Sequence, residues 1–98
     1  MPYIIIGRDA SDEHAIERRL RVRSKHIDYC APFFSCGKIL YACALLENEK
    51  MIGSVMIFDF ATRQEVDDYL THEPYVINQV WANIEIKEAL IPDALFKK

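Results

Sequence analysis

The sequence has no excess of positive charge, no long apolar run, no glycine-rich loop and few cysteines, and each shortage removes a class of protein. Lys and Arg number 12 against 15 Asp and Glu, for a formal charge of −3. Nonspecific binding to a phosphate backbone needs a positive surface, so nucleic acid is not an expected partner. No apolar stretch approaches the roughly 18 residues that would span a bilayer. The N-terminal Tyr-Ile-Ile-Ile is short and has no basic residue ahead of it, which argues against a secretory leader. A cytoplasmic protein with no membrane partner is therefore expected. Cys30, Cys36 and Cys43 form an odd set without a Cys-x-x-Cys pair, so a disulfide framework or zinc ribbon is not expected, and buried thiols are. His14, His26 and His72 lack metal-ligand spacing with one another or with these cysteines, which predicts no metal. There is no P-loop and no Gly-x-Ser-x-Gly elbow, which removes nucleotide hydrolases and the common serine hydrolases. No cofactor is expected.

What is present is 51% hydrophobic residues in a chain of 98, the composition of one globular domain over residues 1–98. Tyr3 to Gly7 is a β-branched run ended by glycine and reads as a first strand. Asp9, Ser11 and Asp12 are N-cap residues, and a helix starting there should run to about Ser35, stopped at Cys36 and Gly37 and disturbed near Pro32. Lys38–Leu46 and Met51–Phe60 flank the polar Glu47–Lys50 and read as a hairpin. Thr62 with Glu65 three residues later has capping-box spacing and opens a second helix, which Pro74 ends at Glu73. The segment from Val80 through Trp81, Ile84 and Ile86 reads as the last strand. The order β-α-β-β-α-β is the split βαβ ferredoxin-like arrangement: an antiparallel four-stranded sheet with two helices on one face. The bare face of such a sheet needs a partner, and a second copy of the chain is the least demanding one.

The first helix carries a basic cluster at Arg18, Arg19, Arg21, Arg23, Lys25 and His26. At about 100° per residue, Leu20, Ile27 and Phe34 fall near Ile16 and form the stripe expected to pack on the sheet. Arg18, Arg21 and Lys25 fall on the solvent side. Arg23 lies inside the stripe, with Arg19 and His26 along its edge. An arginine in an apolar stripe must be paired or line a wet cavity, and a structural ion pair from Arg23 to an acid on the hairpin or second helix is the plain reading. Glu73 ends the second helix on the same sheet face, where a carboxylate beside His26 would fix its tautomer and raise its basicity. Tyr75 suits a pocket wall and equally a buried structural role. His72 reads as a second acid or, more simply, as a helix-end cap.

The run Glu17–Ile27 resembles the YciI-like family (the YCII-related domain), whose helix pattern Arg-Leu-x-Val-Arg-x-x-His-Leu is carried by Arg19, Leu20, Val22, Arg23, His26 and Ile27. Glu73-Pro74-Tyr75 is similar to the family's Asp-Pro-Tyr, and Gly53-Ser54 on the third strand also fits. The resemblance spans Tyr3 to about Lys87. It implies a dimeric α+β barrel of ferredoxin-like subunits with a pocket in each and a histidine–acid dyad, here His26 with Glu73 in the place of aspartate. A dehydrochlorinase acting on a chlorinated hydroxyquinol resembles the family in fold and dyad, and the wider barrel group includes muconolactone isomerases and cofactor-free monooxygenases. Gln79 stands where the family has glycine, and Ala42-Cys43-Ala44 where it has Ala-Gly-Pro.

Two functions follow. One is a cofactor-independent enzyme using His26 and Glu73 for elimination or isomerisation on a small cyclic or aromatic oxygenated substrate, held by Arg19, Arg23 and Tyr75. The other is a non-catalytic dimeric module that binds a small molecule or a partner. An enzyme should leave His26 partly accessible and in contact with Glu73, whereas a relict site should bury it or pair the arginines with fixed acids.

Overall fold

The β-branched run that follows Met1 lies in the middle of the sheet because its residues tolerate neighbours on both edges. In the computed structural model, which describes residues 2–95, β1 (Pro2–Asp9) pairs antiparallel with β3 (Lys50–Asp59) on one side and with β4 (Trp81–Glu88) on the other. The strand β2 (Ile39–Glu47) pairs with the outer edge of β3, giving the order β2-β3-β1-β4. The helices α1 (Ala15–Ser35) and α2 (Arg63–Thr71) complete the ferredoxin-like βαββαβ pattern, with a short α3 (Pro74–Ile77) added before β4. Sequence reading missed α3, since four residues are too few to show a period; Pro74 at its first position and the Glu73 cap account for it.

Local chemistry sets the boundaries. The first helix begins at Ala15, later than Asp9–Asp12, because Asp12 is used otherwise: its carboxylate accepts from the His14 N–H and from Arg18. The helix runs through Pro32 as one element and stops at Gly37, whose φ of 81° only glycine adopts freely. Gly37 N–H donates to the Phe34 carbonyl and Lys38 N–H to that of Phe33, the paired bonds of a Schellman end. The hairpin turns at Asn48 and Glu49, both at positive φ, as a two-residue primed turn requires. At the start of α2, Thr62 Oγ1 accepts from Glu65 N–H and Glu65 reaches back to Ala61 N–H, one residue upstream of a standard capping box.

The core lies between sheet and helices. Tyr3, Ile5, Met56 and Phe58 from the sheet meet Val22 and Cys30 from α1 and Val66, Tyr69 and Leu70 from α2. Gly7 lies under the indole of Trp81: a Cβ added there would stand 2.4 Å from a ring carbon. The opposite sheet face carries Ile4, Ile6, Val55 and Ile57 by strand alternation, beside Tyr41, which is 66% exposed.

The packing of α1 corrects the sequence reading. Its buried residues are Ala15, Arg19, Val22 and Cys30, while Leu20, Ile27 and Phe34 are 55%, 48% and 43% exposed. The helix is thus rotated so that the expected edge becomes the centre of the contact, and Arg23, expected inside, is exposed. The physical reason is that the sheet offers Arg19 polar partners, so an arginine takes a place that hydrophobicity alone assigns to leucine. Burial holds for only one thiol: Cys36 and Cys43 are exposed. Among the described residues, no helix is long and apolar enough to cross a membrane.

Candidate active site

Pro74 disfavours helical geometry at the preceding residue, and Glu73 is accordingly extended, with φ −69° and ψ 120°. That geometry turns its side chain inward at the junction of α2 and α3. Its carboxylate is fully buried and has three close partners. Oε1 accepts from Tyr75 N–H at 3.0 Å and faces His26 Nδ1 at 2.7 Å, and Oε2 accepts from the Tyr69 hydroxyl at 2.7 Å. Tyr69 precedes Glu73 by one helical turn, which brings the two side chains together. These donors satisfy the oxygens of a carboxylate cut off from water.

The acceptor on Nδ1 fixes the ring. A carboxylate oxygen facing Nδ1 favours the tautomer with the proton there and the lone pair on Nε2. Tyr75 stacks flat on the imidazole, with centroids 3.9 Å apart and planes within 6°, and Trp81 meets it edge-on at 6.1 Å. The histidine side chain retains 13% exposure, so the ring is held on three sides and open on one.

Cys30 lies one turn beyond His26 on α1. Its sulfur is 3.1 Å from the Tyr69 hydroxyl, 3.7 Å from His26 Nε2 and 3.9 Å from Glu73 Oε2. Burial, reinforced by the Glu73 charge, pushes the thiol up to about 12, and the same two causes raise the Tyr69 phenol. Both groups therefore stay protonated and act as donors, and Cys30 is no nucleophile at neutral pH. His26, Cys30 and Glu73 place their ligand atoms within 4.8 Å of one another, a juxtaposition that spacing along the chain did not show. The chemistry of the donors suits a metal poorly as they stand: both carboxylate oxygens already accept hydrogen bonds and the sulfur is a protonated thiol.

Arg19 is held beside this cluster. Its Nη1 lies 2.9 and 3.2 Å from the two Asp9 carboxylate oxygens, and its Nη2 donates to Ser54 Oγ at 2.7 Å. Ser54 in turn accepts from the Trp81 indole at 3.2 Å. The guanidinium carbon stands 4.8 Å from the Tyr75 ring centroid, a cation–π contact on the ring that carries His26. Burial pushes the Asp9 carboxyl up, against the pull of Arg19. The ion pair expected for Arg23 is thus made by Arg19, and its acid comes from β1, not from the hairpin or α2. Arg23 makes no hydrogen bond or ion pair among the described residues.

A cavity of about 140 Å³ opens between α1 and the sheet, lined by Arg19, Arg23, His26, Ser54, Tyr75 and Met56. The expected substrate-binding residues Arg19, Arg23 and Tyr75 all border it, and His26 borders it with Glu73 behind. His72 is the C-cap of α2. Sequence reading missed Asp9, Cys30 and Tyr69. The last two carry a signal in hindsight, four residues after His26 and four before Glu73. The contrast between an open histidine and fixed arginines divides between the two arginines: His26 is partly open and meets Glu73, Arg19 is locked on Asp9, and Arg23 is not.

The fold recurs in solved structures of low sequence identity. The 5-chloro-2-hydroxyhydroquinone dehydrochlorinase of Burkholderia phenoliruptrix AC1100, solved with 2,5-dihydroxybenzoquinone, matches with a TM-score of 0.81 and 18% identity over 92% of this chain and 94% of that one. An antibiotic biosynthesis monooxygenase matches with a TM-score of 0.56 and 14% identity over 93% and 100%. No curated protein sequence matches the chain. The family model for the YCII-related domain matches residues 1–90, and the chain belongs to that family.

Proposed function

We propose that the protein is a cofactor-independent acid–base enzyme in which His26 and Glu73 move a proton on a small cyclic or aromatic oxygenated substrate. The observation that carries this reading is the 2.7 Å contact from Glu73 to His26 Nδ1, which leaves Nε2 as a base on a ring bordering a cavity. Nε2 takes a proton from carbon or oxygen, and Glu73 stabilises the imidazolium that forms. The electron pair moves onto the substrate oxygen, where Arg23 is the cation not already committed; Arg19 and Tyr75 complete the wall and hold the imidazole from below. Loss of a leaving group then gives elimination, and return of the proton at another carbon gives isomerisation. The dehydrochlorinase of the same fold, complexed with a dihydroxyquinone, supports this substrate class.

The second reading, a binding module without chemistry, draws on the Arg19–Asp9 pair, which already neutralises one of the two cations. Turnover separates them. A screen of halogenated hydroxyquinols and hydroxylated cyclic acids should give a reaction that His26→Gln lowers by about a hundredfold or more, as expected for loss of a general base. Saturable binding with no turnover, unaffected by that substitution, would leave the module.

We also propose that the apolar sheet face carrying Ile4, Ile6, Tyr41, Val55 and Ile57 is covered by a second copy, making a homodimer. Light scattering at micromolar concentration should give twice the 11.4 kDa chain mass; a monomer mass would refute it.

A further inference from the structure

The cavity at His26 is too small to explain the surface around it. On the far side of the imidazole from Arg23, a second hollow of about 470 Å³ shares His26, Ile27 and Ala42 with the first and continues along α1 past Ala31 to Phe34. Among the described residues, no acidic or basic side chain other than the histidine borders it. Ile27 and Phe34, the residues that sequence reading assigned to the core, form its exposed rim. From His26 to Phe34 the helix rises by about 12 Å at 1.5 Å per residue. The trough lies on the helix side, away from the sheet face assigned to the second copy. Polarity is therefore ordered along the groove: an uncommitted guanidinium at Arg23, the imidazole next, then an apolar channel.

We infer that the substrate is an amphiphilic monoanion, an oxygenated ring whose anionic group meets Arg23 and whose apolar arm of several carbons lies in the trough between His26 and Phe34. The inference rests on the proton-transfer reading for the position of the head group, and adds the arm. Charge complementarity orients the ligand, because the groove offers a cation at one end and no charge at the other. A bare ring would fill the 140 Å³ cavity and leave Ile27 and Phe34 exposed to water.

The test is calorimetric titration of the full chain with benzoate, 4-propylbenzoate and 4-hexylbenzoate, with ring and guanidinium NMR signals recorded in parallel. Full burial strengthens binding about fourfold per methylene, and an open trough should give at least about twofold. Ala31→Trp, at an exposed helix position, should flatten the series. Arg23→Gln should weaken all three by one common factor. If benzoate binds and moves the His26 signals but longer arms bind no better, the arm is overturned and the proton-transfer reading stands. If the chain-length series survives in Ala31→Trp, the arm lies elsewhere and the inference fails. If none of the three moves the His26 and Arg23 signals, the anion seat fails and the trough with it. A fall in molecular mass on Ala31→Trp would assign the trough to a contact between copies and also overturn the proposal.

Discussion

Removing the Glu73 carboxylate should cost far more than changing its charge. In Glu73→Ala the Tyr69 hydroxyl, the Tyr75 N–H and the His26 ring each lose their acceptor in a fully buried site. An unpaired buried donor costs about 1–3 kcal/mol. Relief from burying a charge offsets part of the sum, so about 3–5 kcal/mol is expected, the range for breaking a buried ionic cluster. For a chain of this size that is a fall on the order of 15–30 °C in Tm. Glu73→Gln keeps a carbonyl oxygen for Tyr75 and His26 and turns an amide N–H toward Tyr69. The phenol then swings its hydrogen to the Cys30 sulfur, 3.1 Å away, and one amide hydrogen is left without an acceptor, so the cost should be about 1–2 kcal/mol, well below that of Ala. Urea unfolding at several protein concentrations measures both, since a dimer makes the midpoint depend on concentration. Equal costs for Ala and Gln, or less than about 1 kcal/mol for Ala, would show that the carboxylate does not serve these three donors.

Three further outcomes are expected. Arg19→Met strands Asp9, whose side chain is 4% exposed, and should cost about 3–5 kcal/mol; adding Asp9→Asn should recover part of it, and strictly additive losses would deny the pairing. Gln79 sits at φ 59°, so Gln79→Gly should stabilise by about 0.5–1 kcal/mol in urea unfolding, while a destabilised variant would show that this side chain is needed. The thiol of Cys30 and the phenol of Tyr29, each pushed up to about 12 chiefly by burial, have ordinary values of 9.0 and 10.0. Above about pH 9 for the thiol and about pH 10 for the phenol, the unfolded chain releases the proton and the folded one holds it. Stability from these groups is thus fully present below pH 9 and is lost as pH rises towards 12, by at most about 1.4 kcal/mol per pH unit for each. A urea midpoint that stays level from pH 8.5 to 10.5 would contradict this.

The β-branched run from Tyr3 to Gly7, the Gly37 stop and the Thr62 cap carry local physics, and the fold was legible from them. The contact between His26 and Glu73 was permitted by two helices sharing one sheet face and implied by the family resemblance of the segments that carry them. What failed was the rotation of α1. Periodicity counts apolar residues and cannot know that Asp9 and Ser54 lie on the strands below, ready to solvate Arg19. The cluster behind Glu73 escaped notice for the same reason, because Cys30 and Tyr69 look like ordinary core residues until a third element brings a carboxylate between them.

Glu73 has one more consequence. Its three donors come from α1, from α2 and from the first turn of α3, so a single carboxylate ties three helices at one point. Helix docking at that point rests on one residue. Any residue put in its place must offer an acceptor to all three elements at once, whatever the site does.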